Sequence, residues 1–148
     1  MKKLIFSFIT VLSISSASAS GVSENRILSL SKCLGYSASF DKETLNKNHK
    51  ALSKIFKSYL SAAHEYQKTD EWLANQKDFL FNTLDEKEPS PDFYAGYFLS
   101  TIMLSAQDSI RKSAEAQFVQ NKGVGDLSSL WNEEALKRFT DSNCELIN

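Results

Sequence analysis

The longest regular pattern in the chain begins at Asp41 and has the period of a helix packed in a bundle. Side chains suited to a buried face recur there at alternating intervals of four and three residues: Leu45, His49, Leu52, Phe56, Tyr59, Ala63 and Tyr66. This spacing keeps one helix face against its neighbours over about three heptads. Asp41 is suited to cap the first turn, because its carboxylate can accept backbone N–H groups. The pattern predicts a long helix to about Gln67 with this stripe buried.

One further helix is predicted before this one and another after it. A first helix over about 23–37 is expected to turn one stripe inward: Ile27, Leu30, Cys33 or Leu34, and Ala38. Gly35 weakens its last turn. A third helix, starting at Thr69 or Asp70 and ending near Leu84, is expected to bury another set: Trp72, Gln76, Phe79, Leu80 and Thr83.

A fourth helix is predicted after the loop "DEKEPSPD", with Ser90 as N-cap and Pro91 at the first helical position. The segment Phe93–Gln107 carries no charge and is apolar all round, which predicts a buried central helix. Ala95 and Gly96 in it would allow another helix to approach closely. The helix should continue to about Asn121 and stop at "KGVGD". Asp126 is then suited to cap a last helix through Phe139.

The composition agrees with the prediction of a helical protein. Helix-forming residues such as Leu, Ala and Lys are common, and no alternating apolar run bounded by turn residues predicts a strand. The expected fold is all-α, a compact bundle of four to five helices closed by one disulfide.

The first 19 residues have the pattern of a secretory signal peptide. Lys2 and Lys3 precede an apolar run, Leu4–Ile14, and "ASA" provides a small-residue cleavage site. The run is shorter than the ~20 residues that a spanning helix needs. We therefore expect residues 1–19 to be removed, residues 20–148 to form a single helical domain, and the protein to be periplasmic or secreted without a membrane span.

Export explains the two cysteines. In an oxidising compartment an even number of cysteines normally indicates a disulfide, and only Cys33–Cys144 is available within one chain. A metal site would need three or four ligands, and a catalytic thiol would have to remain unpaired. A disulfide between Cys33 and Cys144 is the preferred interpretation. It would join the first helix of the mature chain to the end of the last.

The charge argues against nucleic acid as a partner. Removing Lys2 and Lys3 from the 17 basic side chains leaves three fewer than the 18 acidic ones. Nucleic-acid-binding domains normally carry a basic excess instead.

No constellation of residues indicates an enzyme, a cofactor or a metal. His49 and Met103 could form an axial pair for haem, but no C-x-x-C-H accompanies them, and a core histidine with a gap-filling methionine explains both. Adjacent carboxylates at Glu133 and Glu134 point in different directions on a helix and indicate a solvated face. The lone G-x-G beginning at Gly123 is explained as a helix end and a turn.

One surface pattern remains as a candidate site. Along the long helix, basic and polar side chains follow a 3-4 spacing roughly opposite the apolar stripe: Lys47, Lys50, Lys54, Lys57, Ser61, His64 and Lys68. We call this set the lysine stripe. It is either an ordinary solvated face or an electrostatic docking strip for an anionic protein or envelope surface. An acidic segment could also pair with it inside the chain: Asp85, Glu86, Glu88 and Asp92.

The sequence therefore favours a small exported protein that acts by protein–protein interaction, such as an immunity protein, an inhibitor or an envelope accessory factor. Its partner is expected to be another envelope or secreted protein. In architecture alone, the chain resembles the helical amidase-immunity proteins of type VI secretion, which are also exported. The first alternative is a small-molecule carrier whose pocket is lined by tyrosines: Tyr36, Tyr59, Tyr66, Tyr94 and Tyr97. An enzyme is the second alternative, ranked behind the carrier.

Overall fold

Five α-helices follow one another in the part of the chain that the computed structural model describes, residues 24–75 and 90–147. In chain order they are α1 (Glu24–Ser37), α2 (Lys42–Tyr66), α3 (Asp70–Asn75), α4 (Pro91–Gln120) and α5 (Leu127–Asp141), and a 3₁₀ turn (Cys144–Leu146) follows. The all-α class and the five-helix bundle are therefore confirmed. The predicted signal peptide, and the continuation of the third helix beyond residue 75, lie outside the described residues.

The predicted helix starts are confirmed by side-chain caps. Asp41 accepts a hydrogen bond from the Thr44 backbone N–H at 2.7 Å, and Ser90 accepts one from Phe93 at 3.2 Å. Asp126 caps α5 in the same way. The hydrogen bond from Thr44 is the main cause that lowers the pKa of Asp41 from its ordinary value. These caps fix where α2, α4 and α5 begin.

Helix α1 lies at the centre of the bundle, against α2, α4 and α5. It lies close to α4 at Gly35, where an added Cβ would stand 2.7 Å from the Cβ of Ala106. The sequence placed the close approach at Ala95 and Gly96 instead. Ala95 is buried, but Gly96 is exposed and would meet nothing within 4 Å. The residue expected only to weaken α1 is thus the one that lets two helices touch.

The buried face of α2 differs from the predicted stripe over its first half. Tyr59, Ala63 and Tyr66 are buried as expected, but Leu45, His49 and Phe56 are exposed and Leu52 is half-buried. The buried positions of α2 are offset by one residue at its start: Thr44, Asn48, Ile55, Tyr59, Ala62, Ala63 and Tyr66. Asn48 tolerates burial because its side chain donates to the Thr44 backbone carbonyl at 2.9 Å, and Thr44 because its side chain forms a hydrogen bond with Asp41. Because the inner face of α2 begins with polar residues, hydrophobic spacing alone predicted the wrong buried positions in the first half of the helix.

The prediction that the uncharged segment Phe93–Gln107 of α4 is buried on every side is wrong. Its buried face carries mostly small side chains: Tyr94, Ala95, Ala106, Ile110 and Ala114. On the other side of the helix, Phe93 and Tyr97 are each 46% exposed and Leu104 is 63% exposed. Alanines fill the contact because α1 approaches closely there, which leaves the larger apolar side chains outside it.

The two cysteines lie at disulfide-bonding distance, with their Cα atoms 5.7 Å apart. Cys33 is on α1 and Cys144 is in the 3₁₀ turn, and both are buried. Closing a loop of 111 residues restricts the unfolded chain by about 4–5 kcal/mol in the chain-entropy account. The link holds the end of the chain against the central helix.

We expect neighbouring substitutions on α2 to separate its buried face from its exposed face. Ile55→Asp places an unpaired charge at a fully buried position and should unfold the domain. Phe56→Asp changes a side chain that is 45% exposed and should lower the free energy of unfolding by no more than about 1 kcal/mol. Urea titrations of both variants measure the difference. Equal losses would show that the phase of α2 described above is wrong.

We expect alanine at two glycines to act in opposite directions. Gly35→Ala should destabilise the protein by about 1–3 kcal/mol, because the new methyl group collides with Ala106. Gly96→Ala, in open space on α4, should stabilise it by about 0.5–1 kcal/mol. Adding Ala106→Gly to Gly35→Ala should recover part of the loss in thermal unfolding. A stabilising Gly35→Ala would contradict the close contact.

Candidate functional site

The lysine stripe faces solvent along α2 and just beyond its end. Its lysines and Ser61 are exposed, and His64 is half-buried. With about 100° of turn per residue, the stripe is centred roughly 150° around the helix from the buried face. A partner could therefore approach its full length without disturbing the core.

The C-terminal end of the stripe is already paired within the chain. His64 Nε2 lies 2.9 Å from Asp92 Oδ1, and Lys68 Nζ lies 2.8 Å from Glu65 Oε1. The suggestion that an acidic segment meets the stripe thus holds for Asp92. The other acidic residues of that segment, Asp85, Glu86 and Glu88, lie outside the described residues. This end contributes less free charge than the sequence suggested.

The N-terminal end is different. Lys47, Lys50, Lys54 and Lys57 are exposed, and none of them forms an ion pair with any residue in the described ranges. From the first to the last of these lysines the helix rises about 15 Å. This segment is a row of positive charge with Glu43 four residues before its first lysine and no ion pair along its length in those ranges.

An additional cation, missed by the sequence analysis, lies beside this row. Arg26 is on α1, and together with Lys57, Ser58, Ser61 and Ala62 it lines an open depression of about 290 Å³ between α1 and α2. The side chains of Arg26 and Lys57 form no ion pair in the described chain. Only the packing of α1 on α2 brings Arg26 here, so no spacing along the sequence could have indicated it.

The acidic pair at Glu133 and Glu134 is not the solvated face that the sequence suggested. Glu133 is exposed, but Glu134 is only 8% exposed and accepts a hydrogen bond from Arg138 Nε at 2.7 Å. The same guanidinium donates to Ser109 Oγ on α4 at 2.6 Å. Burial acts to raise the pKa of Glu134, but hydrogen bonds from Arg138 and Ser113 and nearby positive charge outweigh it and lower that pKa. This group of side chains ties α5 to α4.

The tyrosines lie at different places in the described part of the chain: Tyr59 and Tyr66 line one cavity, and Tyr36 lines a separate open depression of about 250 Å³. The cavity beside Tyr59 and Tyr66 has a volume of about 20 Å³, far below the ~300 Å³ expected of a ligand pocket. The Tyr59 hydroxyl donates to the Ala95 carbonyl, and burial raises the pKa of Tyr59 to about 12. Tyr97 is exposed and Tyr36 half-buried. The cavity that Tyr59 and Tyr66 share is therefore too small for a ligand, and the carrier alternative stays a prediction.

Other candidate chemistry is not assembled by the fold. His49 is exposed on α2 rather than on the buried face, and Met103 is half-buried on α4. Within residues 24–75 and 90–147, no three His, Cys, Asp or Glu side chains are grouped so that they could hold a metal ion. None of the helices in those ranges has the length and apolar character needed to cross a membrane.

Comparison of the chain with protein-family models, curated proteins and solved structures gives no match. The evidence for function therefore comes from the geometry of the lysine stripe and its surroundings.

The tie between α5 and α4 makes a prediction about acid stability. Because the pKa of Glu134 is lower in the folded chain than its ordinary value of 4.5, its contribution is present above that value and is lost as the pH falls through the folded pKa. Glu134→Gln should therefore lower the urea midpoint at pH 7, by an amount equivalent to about 1–3 kcal/mol. The difference from wild type should shrink below pH 4.5. Glu133→Gln is the matched control on the exposed side of α5, and a constant difference at all pH values would contradict the assignment.

Proposed function

We propose that this protein is an exported binding protein that acts by protein–protein interaction, with the N-terminal part of the lysine stripe as its docking surface. The observation that carries the proposal is the row of four exposed lysines without acidic partners in the described chain. Such a row attracts an anionic partner, accelerates encounter and selects its orientation.

The exported location is part of the same proposal. The signal-peptide pattern of residues 1–19 supports it, and the cysteine pair at disulfide-bonding distance is compatible with an oxidising compartment. Within that compartment the partner is another envelope or secreted protein with an acidic surface. An immunity protein, an inhibitor and an envelope accessory factor all act in this way.

A protein suits this surface better than a membrane or a nucleic acid. Interfacial helices place large apolar side chains beside their cations so that these can enter the lipid. The exposed large apolar residues on α2 are Leu45 and Phe56, and both lie on another flank, roughly 140° around the helix from the stripe. Single-stranded nucleic acid would need aromatic side chains among the cations for base stacking, and the stripe carries none.

Charge reversal tests the proposal. A variant with Lys50→Glu, Lys54→Glu and Lys57→Glu should remain folded, because these are exposed positions. It should lose the proteins that the wild type captures from its native envelope, as measured by mass spectrometry. Association of the wild type with a captured partner should slow as salt rises, because the screening length shortens to about 8 Å at 0.15 M.

The matched control carries the same change in net charge on three exposed lysines outside α2, namely Lys32→Glu, Lys122→Glu and Lys137→Glu. This control should keep the captured partners. If the stripe variant is folded and captures the same proteins at the same rate as the control, the stripe is an ordinary solvated face.

A further inference from the structure

The depression between α1 and α2 holds two cations and two hydroxyl groups that the described chain leaves unused. Arg26 and Lys57 lack acidic partners there, and the side chains of Ser58 and Ser61 form no hydrogen bond in that part of the chain. These groups come from two different helices. Both other arginine side chains of the sequence are already engaged: Arg111 pairs with Asp108, and Arg138 pairs with Glu134.

We infer that this depression is the anchor point of the docking surface, where Arg26 receives a carboxylate from an acidic side chain of the partner protein. The inference rests on the proposed function and adds to it the chemistry and the position of one specific contact. Arg26 is the residue that gives the docking strip its register.

The chemistry of the lining groups fits a carboxylate. A guanidinium presents its N–H donors as a planar fork, which matches the two oxygens of a carboxylate. Lys57 adds a second positive charge, and the hydroxyl groups of Ser58 and Ser61 can each donate one hydrogen bond. The lysines elsewhere on the stripe act as point charges, which attract an acidic surface without fixing its position.

The position of Arg26 supports its role in setting register. The lysines repeat along α2 at nearly equal intervals, so an acidic helix could shift by one turn and meet the same charge again. Arg26 breaks this repetition, since it lies on α1 and stands beside only one point of the stripe. A carboxylate in the depression is therefore held at one place along the row.

A lipid phosphate is the weaker occupant of this depression. Its lining contains Ala62 but no large apolar side chain that could enter a bilayer beside a bound headgroup. The volume of about 290 Å³ and the open shape suit one side chain that projects from a partner surface.

The test uses two synthetic helical peptides as probes. One carries glutamates at 3-4 spacing, and the other has glutamine at the same positions. In NMR titrations of the isotopically labelled protein, the glutamate peptide should shift the Arg26 Nε–H signal and the Ser58 and Ser61 amides most. The glutamine peptide should shift them little. Equal shifts from both peptides, or no binding of the glutamate peptide, would overturn the carboxylate assignment.

Variants of Arg26 test the anchor itself. Arg26→Gln should weaken binding of the glutamate peptide by about tenfold or more, and Arg26→Lys should give an intermediate loss, because it keeps the charge without the fork. Arg111→Gln, at an exposed arginine of α4, is the matched control and should change binding less than about twofold. The unfolding midpoint of Arg26→Gln should equal that of wild type, since the residue is exposed.

The possible failures are distinguishable. If Arg26→Gln leaves binding unchanged while replacing Lys47, Lys50 and Lys54 by glutamine weakens it, the anchor is wrong and the docking stripe stands. If none of these changes matters, the anchor is wrong, and the charge-reversal capture above decides the stripe independently. If Arg26 is instead needed for binding to phosphatidylglycerol vesicles and not to the peptide, the occupant is a lipid phosphate and the inference is overturned.

Discussion

The contact between α1 and α4 at Gly35 determines how the rest of the bundle is arranged. A single missing side chain allows the backbone of α1 to lie against α4, where any larger residue would collide with Ala106. Helix α1 therefore lies deep enough to contact α2, α4 and α5 together. Its Cys33 then lies within bonding reach of Cys144, and its first turn brings Arg26 beside the second half of α2. The position of α1 therefore accounts for both the Cys33–Cys144 pair and the candidate site.

The sequence predicted the helices more accurately than it predicted their buried faces. Caps and helix ends are local features, because one carboxylate or hydroxyl satisfies backbone groups two or three residues away, as at Asp41 and Asp126. The phase of α2 is a tertiary feature. Its inner face begins with Thr44 and Asn48, whose polar atoms are satisfied locally. Hydrophobic spacing alone therefore assigned Leu45 and Phe56 to the core, and both are exposed.

Long-range packing also explains the other differences. The uncharged half of α4 indicated burial on every side, but a close helix contact needs small residues, so Ala95 and Ala106 are buried while Leu104 is exposed. Glu134 is buried because Arg138, four residues later, meets both it and Ser109 on α4. The spacing of residues along one helix was enough to predict the lysine stripe. It could not predict that Arg26 lies beside the stripe, because only the packing of α1 on α2 brings the two together.

The unpaired lysines of the stripe differ from the other exposed lysines because four of them follow one another along a single helix face. Some cations elsewhere pair with an acid three or four residues away, as Lys68 does with Glu65 and Lys112 with Asp108. Other exposed lysines of the described chain, such as Lys32, Lys122 and Lys137, form no ion pair there but lie apart from one another in the sequence. Along Lys47–Lys57 no lysine forms an ion pair within the described chain, although Glu43 lies four residues before Lys47. Like charges at these spacings destabilise a helix by about 0.2–0.5 kcal/mol per pair. The summed repulsion is small compared with the stabilisation of about 4–5 kcal/mol attributed to the Cys33–Cys144 disulfide, so the fold tolerates it.

The destabilisation is nevertheless local to this part of α2. An acidic partner would relieve it by supplying the negative charges that the helix lacks. Binding of such a partner is thus favoured by repulsion that already exists in the free protein.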